Sequence, residues 1–488
     1  MKFNKKYVLY YIILLFFLCL GFTHKPLQND VFYMLKLGKD ILKYGIDMKD
    51  HYSFIANLGY TYPHWLYDIY IYYIYKLFSF LGVFISSFLF YFLLISIIFF
   101  VILNKTKNYF YSFLCCFVAS FCVSFFVSGR SLLLTTILFF LEVYFITKLI
   151  NTGSNKYIIF LVFGSLLIAN LHATVWLFYF ILFLPFFAKK LVFNIVNKYS
   201  IKYNKKLVID DVDNMKKLLI SFGCCFFIGI FSPSRICYTY VFRIMLGNTQ
   251  SFIQEHAPLV VIHEPMFLIL IIFLLFALIF SKCKIKIEEL FMLCGLIFMS
   301  LLSQRHLIFL YTIGLVYISF IVFRYLKCSK NNSFDILDRF IFRRKIVFIF
   351  IFVFFAFFSL FTFIDNFSKE YISNKIYPVD AVKYIKSNLE YRNIRIYNYY
   401  NYGSYLLFND IPVFIDSRCD LYLKEFNGKV DFFTIDINAS SNYKKVFKKY
   451  NIDYVLVDRD DALRYILEND VNYDLIYHDK YFSIYHRN

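Results

Sequence analysis

The feature that most constrains this chain is a succession of long apolar runs almost free of charge. They fall at 7–22, 83–103, 109–127, 131–150, 157–171, 173–188, 218–232, 266–281, 289–303, 306–325 and 346–363. A helix that crosses a bilayer needs about 20 consecutive apolar residues, so these runs predict a polytopic α-helical membrane protein of about 11 to 13 spans. Composition agrees: 60% of the 488 residues are hydrophobic, 23% aromatic and 17% charged. A soluble domain is about 45–50% apolar and about 25% charged. A soluble globular enzyme and a disordered chain are both excluded as the whole answer. The first run follows Lys2, Lys5 and Lys6 and lacks a small-residue cleavage site, which reads as a retained anchor. Residues 66–81, Tyr-rich and carrying Asp68 and Lys76, fit either an interfacial helix or a short span.

The formal net charge is +19, unevenly spread. From Ile364 onward the chain holds 17 Lys and Arg against 18 Asp and Glu, so the basicity belongs to the apolar part. With the N-terminus inside and 66–81 not crossing, the segments 1–6, 104–108, 148–156, 189–217, 282–288 and 324–345 face the cytoplasm. They carry 25 of the 35 basic residues before Ile364. That asymmetry is a topology signal of the positive-inside kind, not a nucleic-acid footprint. The same assignment puts all nine histidines on the other side, and with them any chemistry. Cys419 is the only one of 11 cysteines in the C-terminal region; the others, such as Cys115, Cys116, Cys224 and Cys225, read as small core residues.

The domain reading is a multi-span membrane part, 1–363, with outer loops at 23–82 and 233–265, followed by an extracytoplasmic domain at 364–488. There the apolar runs shorten to strand length at 394–398, 412–416, 452–457 and 481–486. Helical patterns at 379–388, opened by Pro378, and at 441–450 alternate with them, which predicts a small α/β domain.

The candidate chemistry is mostly in the outer loops. Asp30 precedes a helical stretch, 31–44, ending at Gly45; it can serve as a general base, hold a divalent metal, or merely cap the helix. Asp50-His51 and Pro63-His64-Trp65-Leu66 follow. Arg130, Arg235, Arg243 and Arg305 are almost the only cations on the outer side of the membrane part beyond the first loop. Arginine at bilayer depth is costly and usually faces a cavity, and its forked guanidinium suits a phosphate. Snorkelling, or pairing with Glu255 or Glu264, is the alternative. Asn170 and His172 sit between two runs and can contact substrate or simply be buried and hydrogen-bonded. Glu255-His256 and His263-Glu264 are a conceivable metal pair, Glu142 lies inside a span, and Asp416 with Arg418 reads as an ion pair or an acceptor contact. P-loop, dinucleotide and G-x-S-x-G fingerprints are lacking, so ATP-driven chemistry and serine hydrolysis are unsupported.

Read in order, these segments resemble the GT-C superfamily of membrane glycosyltransferases, which includes the protein O-mannosyltransferases and the lipid A aminoarabinose transferases, and most of all a poorly characterised bacterial branch of it. The carriers are Asn29-Asp30, the helix ending at Gly45 and Pro63-His64-Trp65-Leu66. Further along come Ser128-Gly129-Arg130-Ser131, Ala169-Asn170-Leu171-His172, Phe231-Ser232-Pro233 and Gln304-Arg305-His306. Tyr402-Gly403-Ser404-Tyr405-Leu406 and Val413-Phe414-Ile415-Asp416-Ser417-Arg418 complete the set. Val31 stands where the superfamily usually has a second acid. The resemblance implies a GT-C-like helical membrane protein with a small C-terminal α/β domain, set in the plasma membrane. Its implied activity is inverting transfer of a sugar from a polyprenyl-phosphate donor to an extracytoplasmic acceptor of unknown nature. It makes Asp30 catalytic and puts Arg130, His172, Arg305, His306, Asn170 and His64 against the substrate. No cofactor is certain and a divalent metal is possible. The partners are the lipid-linked donor and membrane lipid, not nucleic acid. A transporter or flippase for a lipid-linked glycan and a non-catalytic scaffold are the alternatives; internal repeats and broken helices would mark the former.

Overall fold

The computed structural model describes residues 5–55, 58–199, 201, 206–247, 249, 253–280, 284–328, 336–337, 341, 344–437 and 439–488. Of the basic residues counted for topology, Lys2, Lys202, Lys205, Lys282, Lys330, Arg339 and Arg343 lie outside them.

A helix occupies each of the eleven apolar runs. The first six are α1 (Lys5–Phe22), α2 (Asn29–Tyr44, in the first loop), α3 (Trp65–Thr106), α4 (Tyr109–Ser124), α5 (Leu132–Thr152) and α6 (Lys156–Leu171). Among the described residues, six helical stretches are long and apolar enough to cross a membrane on their own: α1, α3, α5, Ala173–Tyr199, Gln304–Lys327 and Ile349–Ser368. The fold is that of an integral membrane protein. Its helices bury one face in a common core that includes Tyr11, Tyr91 and Trp176, and leave phenylalanines such as Phe350, Phe354 and Phe361 outward, as a lipid-facing surface requires. Glu142 of α5 points into this core and is 1% exposed, not toward lipid.

The ambiguous segment 66–81 is settled by a backbone break. Ser79 has φ 56° and ψ −153°, which no helix accommodates. The hydroxyl of Tyr70 lies 2.8 Å from that of Ser86, although sixteen residues of straight helix would separate them by about 24 Å. The stretch from Trp65 to Phe78 therefore folds back from the rest of α3. It packs on α2, so closely that a Cβ on Gly38 would stand 2.0 Å from the carbonyl oxygen of Asp68.

The last long helix, Lys345–Ser368, returns beside α1, and Asn366 donates to the Gly21 carbonyl at 2.8 Å. This delivers the C-terminal domain onto the first loop: Leu27 N–H bonds the Tyr371 carbonyl, and the Tyr377 hydroxyl bonds the Leu27 carbonyl, both at 2.9 Å. The loop and the domain share one hydrophobic core, in which Phe32 of α2 meets Tyr377, Tyr405 and Phe408.

Besides a two-residue parallel pairing of β1 (Leu207–Val208) with β2 (Ile285–Lys286), the strands form one sheet. It comprises β3 (Ile396–Tyr397), β4 (Tyr454–Asp458), β5 (Tyr473–His478) and β6 (Phe482–Arg487) in the order β3-β4-β6-β5. β3 runs parallel to β4, with Tyr397 opposite Val455, and the other pairs are antiparallel. Three corrections follow. The run 412–416 is no strand of this sheet: Val413 exchanges backbone hydrogen bonds with Tyr52 and Phe54 of the first loop. Run 394–398 pairs over two residues only, because its apolar side chains continue into the turn before the helix Tyr400–Phe408. β5, with exposed Asp474 and Leu475, lacked the apolar run that marked the others.

Because α2 and the Trp65–Phe78 stretch leave no room for a side chain at residue 38, Gly38→Ala should destabilise the protein by about 1–3 kcal/mol. A lowered thermal midpoint in detergent checks this against Gly223→Ala, where no atom lies within 4 Å of the added methyl and the midpoint should hold or rise.

Candidate functional site

Where the first loop, three inter-helix turns and the C-terminal domain meet, the structure encloses a cavity of about 440 Å³. Asp30 reaches it from the first turn of α2. It is not the helix cap, which is Gln28. Arg130 enters from the tight turn between α4 and α5. That turn is seated by the Tyr67 hydroxyl on the Gly129 carbonyl at 3.0 Å and by Val31, whose methyls lie where a Cβ on Gly129 would clash. Val31 is fully buried in that packing, a physical reason for the missing second acid.

The Arg130 guanidinium donates to Asp30 Oδ2 at 2.9 Å and forks onto Glu255, with Nη2 to Oε2 at 2.9 Å and Nη1 to Oε1 at 3.3 Å. Burial opposes the guanidinium's charge, but Glu255 and Asp30 outweigh it and raise its pKa. Burial alone would raise Glu255; Arg130 and then Arg305 bring its carboxyl down to about 2.

Arg305 comes from the single turn Gln304–His306, which the loop before it clasps through Ser303 Oγ to the Glu255 carbonyl at 3.0 Å. Its Nη2 lies 3.2 Å from His172 Nε2 and its Nη1 3.5 Å from His256 Nε2. His172 Nδ1 is 3.0 Å from the Thr135 hydroxyl, which itself donates to the Ser131 carbonyl at 2.8 Å. The Thr135 proton being spent, His172 carries its proton on Nδ1 and accepts from Arg305 at Nε2. The His64 ring lies tilted against it, with ring centroids 4.9 Å apart. Burial first, then the Arg305 charge, hold His64 and His256 down at about 3, and His172 is lowered by burial, His64 and Arg305.

Of the seven residues singled out from sequence, Asp30, Arg130, His172, Arg305 and His64 line this cavity. Asn170 and His306 do not. Asn170 accepts from Trp65 Nε1 at 2.9 Å and donates to the Leu166 carbonyl, which anchors the His64 segment from behind. His306 turns its Nδ1 to the Met299 carbonyl at 3.1 Å and its ring edge to Phe178. Arg235 and Arg243 lie elsewhere, Arg243 over the Phe426 ring at 5.6 Å. The cavity adds groups that sequence spacing did not connect: Glu255 and His256 as partners of the arginines, and Tyr400, Ser417, Cys419 and Asp420 from the C-terminal domain. The sequence alone offers Glu255 or Glu264 as partners for the arginines and Glu255-His256 as half of a metal pair; the structure brings Glu255 to Arg130 and His256 to Arg305.

Six buried polar atoms on its walls have no hydrogen-bond partner: Gln28 Oε1, Asn29 Oδ1, His64 Nδ1, Thr174 Oγ1, His256 Nδ1 and Arg305 Nε. Such atoms are costly to leave without a partner, so this wall offers hydrogen bonds to whatever polar group or water fills the cavity. A smaller cavity of about 170 Å³ adjoins it across Arg130, Glu255 and Arg305, with Phe125, Phe126 and Leu307 on its walls beside Ser128, Gln254, Glu264 and Gln304. Among the described residues no three His, Cys, Asp or Glu side chains group as metal ligands. The carboxylates of Asp30 and Glu255 converge on Arg130, so a guanidinium stands where a divalent ion would have to bridge them.

No protein-family model matches the chain, and no curated protein matches it in sequence. Its fold does match solved structures, among them those of an archaeal oligosaccharyltransferase. The oligosaccharyltransferase AglB of Archaeoglobus fulgidus, in complex with an inhibitory peptide and a dolichol-phosphate, is similar at a TM-score of 0.60 and 10% identity, over 94% of this chain and 70% of that one. The apo form of the Archaeoglobus fulgidus oligosaccharyltransferase gives 0.61 and 11% over 93% and 70%, and its complex with Zn and sulfate 0.53 and 10% over 92% and 68%. At this identity the likeness establishes the fold. It is the GT-C-like architecture, helical membrane part with a C-terminal α/β domain, that the sequence resemblance implied.

His64 and His256 would titrate near 6.5 if solvated, so their neutral forms contribute stability fully above that pH, and the contribution fades as pH falls toward 3. In ¹⁵N-histidine spectra of the detergent-solubilised protein, both rings should stay neutral between about pH 5 and 8. A midpoint near 6.5 for either would contradict the buried site.

Proposed function

We propose that this protein is a membrane glycosyltransferase that moves a sugar from a polyprenyl-phosphate donor to an acceptor outside the cytoplasm, with inversion at the anomeric carbon. The observation that carries this reading is the position of Arg130 and Arg305, at the junction of a polar cavity with orphaned hydrogen-bonding atoms and a smaller cavity to which Phe125, Phe126 and Leu307 add an apolar side. A lipid phosphate matches that junction: the phosphate on the two guanidiniums, the prenyl chain along Phe125, Phe126 and Leu307, and the sugar among Gln28, Asn29, His64 and His256. The match in fold to an enzyme crystallised with dolichol-phosphate supports the same donor class.

Asp30 lies on Arg130, beside the phosphate position, and its carboxylate stabilises the positive charge that develops on the anomeric carbon as the phosphate departs. His172 orients Arg305 by accepting its proton-bearing Nη2, and Asn170 and His306 act from behind the wall. The excess of basic residues on the segments opposite this end supports an N-terminus in the cytoplasm and a C-terminal domain outside the plasma membrane. Although the similar oligosaccharyltransferase is known in complex with Zn, no step here is routed through a metal, because Arg130 already joins the two carboxylates.

The test is release of polyprenyl phosphate from polyprenyl-phosphate [¹⁴C]glucose, [¹⁴C]mannose and [¹⁴C]N-acetylglucosamine in detergent-solubilised membranes of the producing cell. Asp30→Asn should slow release by about 100-fold; equal turnover would remove Asp30 from the mechanism. EDTA should change the rate by less than about twofold, whereas a loss above tenfold would place a divalent ion in the cavity.

A further inference from the structure

The cavity holds three carboxylates, and they are not equivalent. Asp30 and Glu255 are both bound to Arg130. Asp420, from the turn Cys419–Tyr422 of the C-terminal domain, makes no ion pair among the described residues; its Oδ2 accepts the Thr61 hydroxyl at 2.7 Å. The neighbouring Arg418 is already spent, its guanidinium closed on Asp416 and Asp50 with all three side chains fully buried. A carboxylate clamped by a guanidinium is a poor base, and one left without a cation in a buried wall is a better one.

The walls also differ in the groups they present. Both guanidiniums free to meet a ligand, Arg130 and Arg305, stand on the membrane side together with Asp30 and Glu255, whereas the C-terminal domain presents Tyr400, Asn401, Ser417, Asp420 and an Arg418 closed on Asp416 and Asp50. A phosphate leaving group belongs on the first side, and a nucleophile that must lose a proton belongs on the second. From this we infer that the seam between the first loop and the C-terminal domain is the acceptor site, and that Asp420 is the base that deprotonates an acceptor hydroxyl or amine. The inference rests on the glycosyltransferase reading and refines it: Asp30 then serves the sugar, and Asp420 the acceptor. The acceptor oxygen or nitrogen forms a bond to the anomeric carbon, the bond from that carbon to the phosphate oxygen breaks, and its electron pair leaves with polyprenyl phosphate. The acceptor's proton passes to the Asp420 carboxylate and on to solvent.

Titratable and charged groups around Asp420 are Tyr33 of α2, Tyr60 of the first loop, Tyr240, and its chain neighbours Arg418 and Cys419. Burial lifts its carboxyl above the ordinary range, against the pull of Thr61 and Arg418. Transfer should therefore carry an acid limb that belongs to Asp420.

The experiment compares full-length wild type, Asp420→Asn and Asp420→Glu for binding of polyprenyl phosphate in mixed micelles and for sugar transfer in the acceptor-bearing membranes above. Asp420→Asn should keep polyprenyl-phosphate affinity within about twofold and lose transfer by about 100-fold or more, and Asp420→Glu should recover part of the rate with a displaced acid limb. The assignment is overturned if Asp420→Asn transfers within about threefold of wild type, or if binding and transfer fall together in both variants, which would mark a structural role. Wild-type membranes that bind polyprenyl phosphate yet release none from the three labelled donors give a third, distinct pattern. That pattern sinks the transferase reading, and this assignment with it.

Discussion

The contact on which the arrangement depends is the burial of Arg418 between the first loop and the C-terminal domain. Its guanidinium takes Asp416 of its own segment through Nε and Nη2 and Asp50 of the first loop through Nη1, and lies between the rings of Tyr52 and Tyr60 at 5.0 and 5.1 Å. Tyr422 closes the network on Asp416 at 2.6 Å. With every charge removed from water, loss of one partner from such a group costs about 3–5 kcal/mol, because the others remain buried and unbalanced. The cluster therefore fixes how the domain sits on the loop. In doing so it places Ser417, Cys419 and Asp420 over the cavity that the membrane helices leave open.

Below that roof the cavity is organised by the sharing of few charges. Arg130 satisfies two carboxylates, and Arg305 is held by two imidazoles that accept from it and are therefore neutral. The outcome is an end where two guanidiniums balance two carboxylates and Arg305 Nε is left without a partner, and an end under the C-terminal domain where Asp420 makes no ion pair among the described residues. Guanidiniums at one end and an unpaired carboxylate at the other suit a reaction in which an anion leaves on one side and a proton leaves on the other.

Much of the fold was legible because membrane helices announce themselves by hydropathy alone. All eleven apolar runs carry helices, and the helix predicted from Val379 to Asn388 has those bounds. The failures have physical causes. Run 412–416 alternates like a strand, yet it pairs with the first loop, and nothing local distinguishes one partner strand from another. The fold-back at Ser79 depends on Tyr70 finding Ser86 and on α2 lying against Asp68, contacts between residues far apart or hidden by helical periodicity. His306 and Asn170 looked like site residues because they adjoin Arg305 and His172. On a tight turn, neighbours in sequence point to opposite sides, and these two face the core.

By itself the sequence determined the solvent in which this protein folds, the number of apolar segments, the α/β character of the last hundred or so residues (about a domain's length) and the short list of polar residues too costly to place in a bilayer without reason. Each of those is a local property, set by transfer free energy and periodicity. Only the tertiary structure decided which of the polar residues meet. Asp30 and Arg130 are 100 positions apart, Arg305 and His172 133, and Thr61 and Asp420 359. Bringing such groups together depends on how helices cross and on which domain covers which loop. These are matters of packing that no stretch of sequence encodes alone, and that is why the carboxylate left without a cation, Asp420, came to notice only in three dimensions.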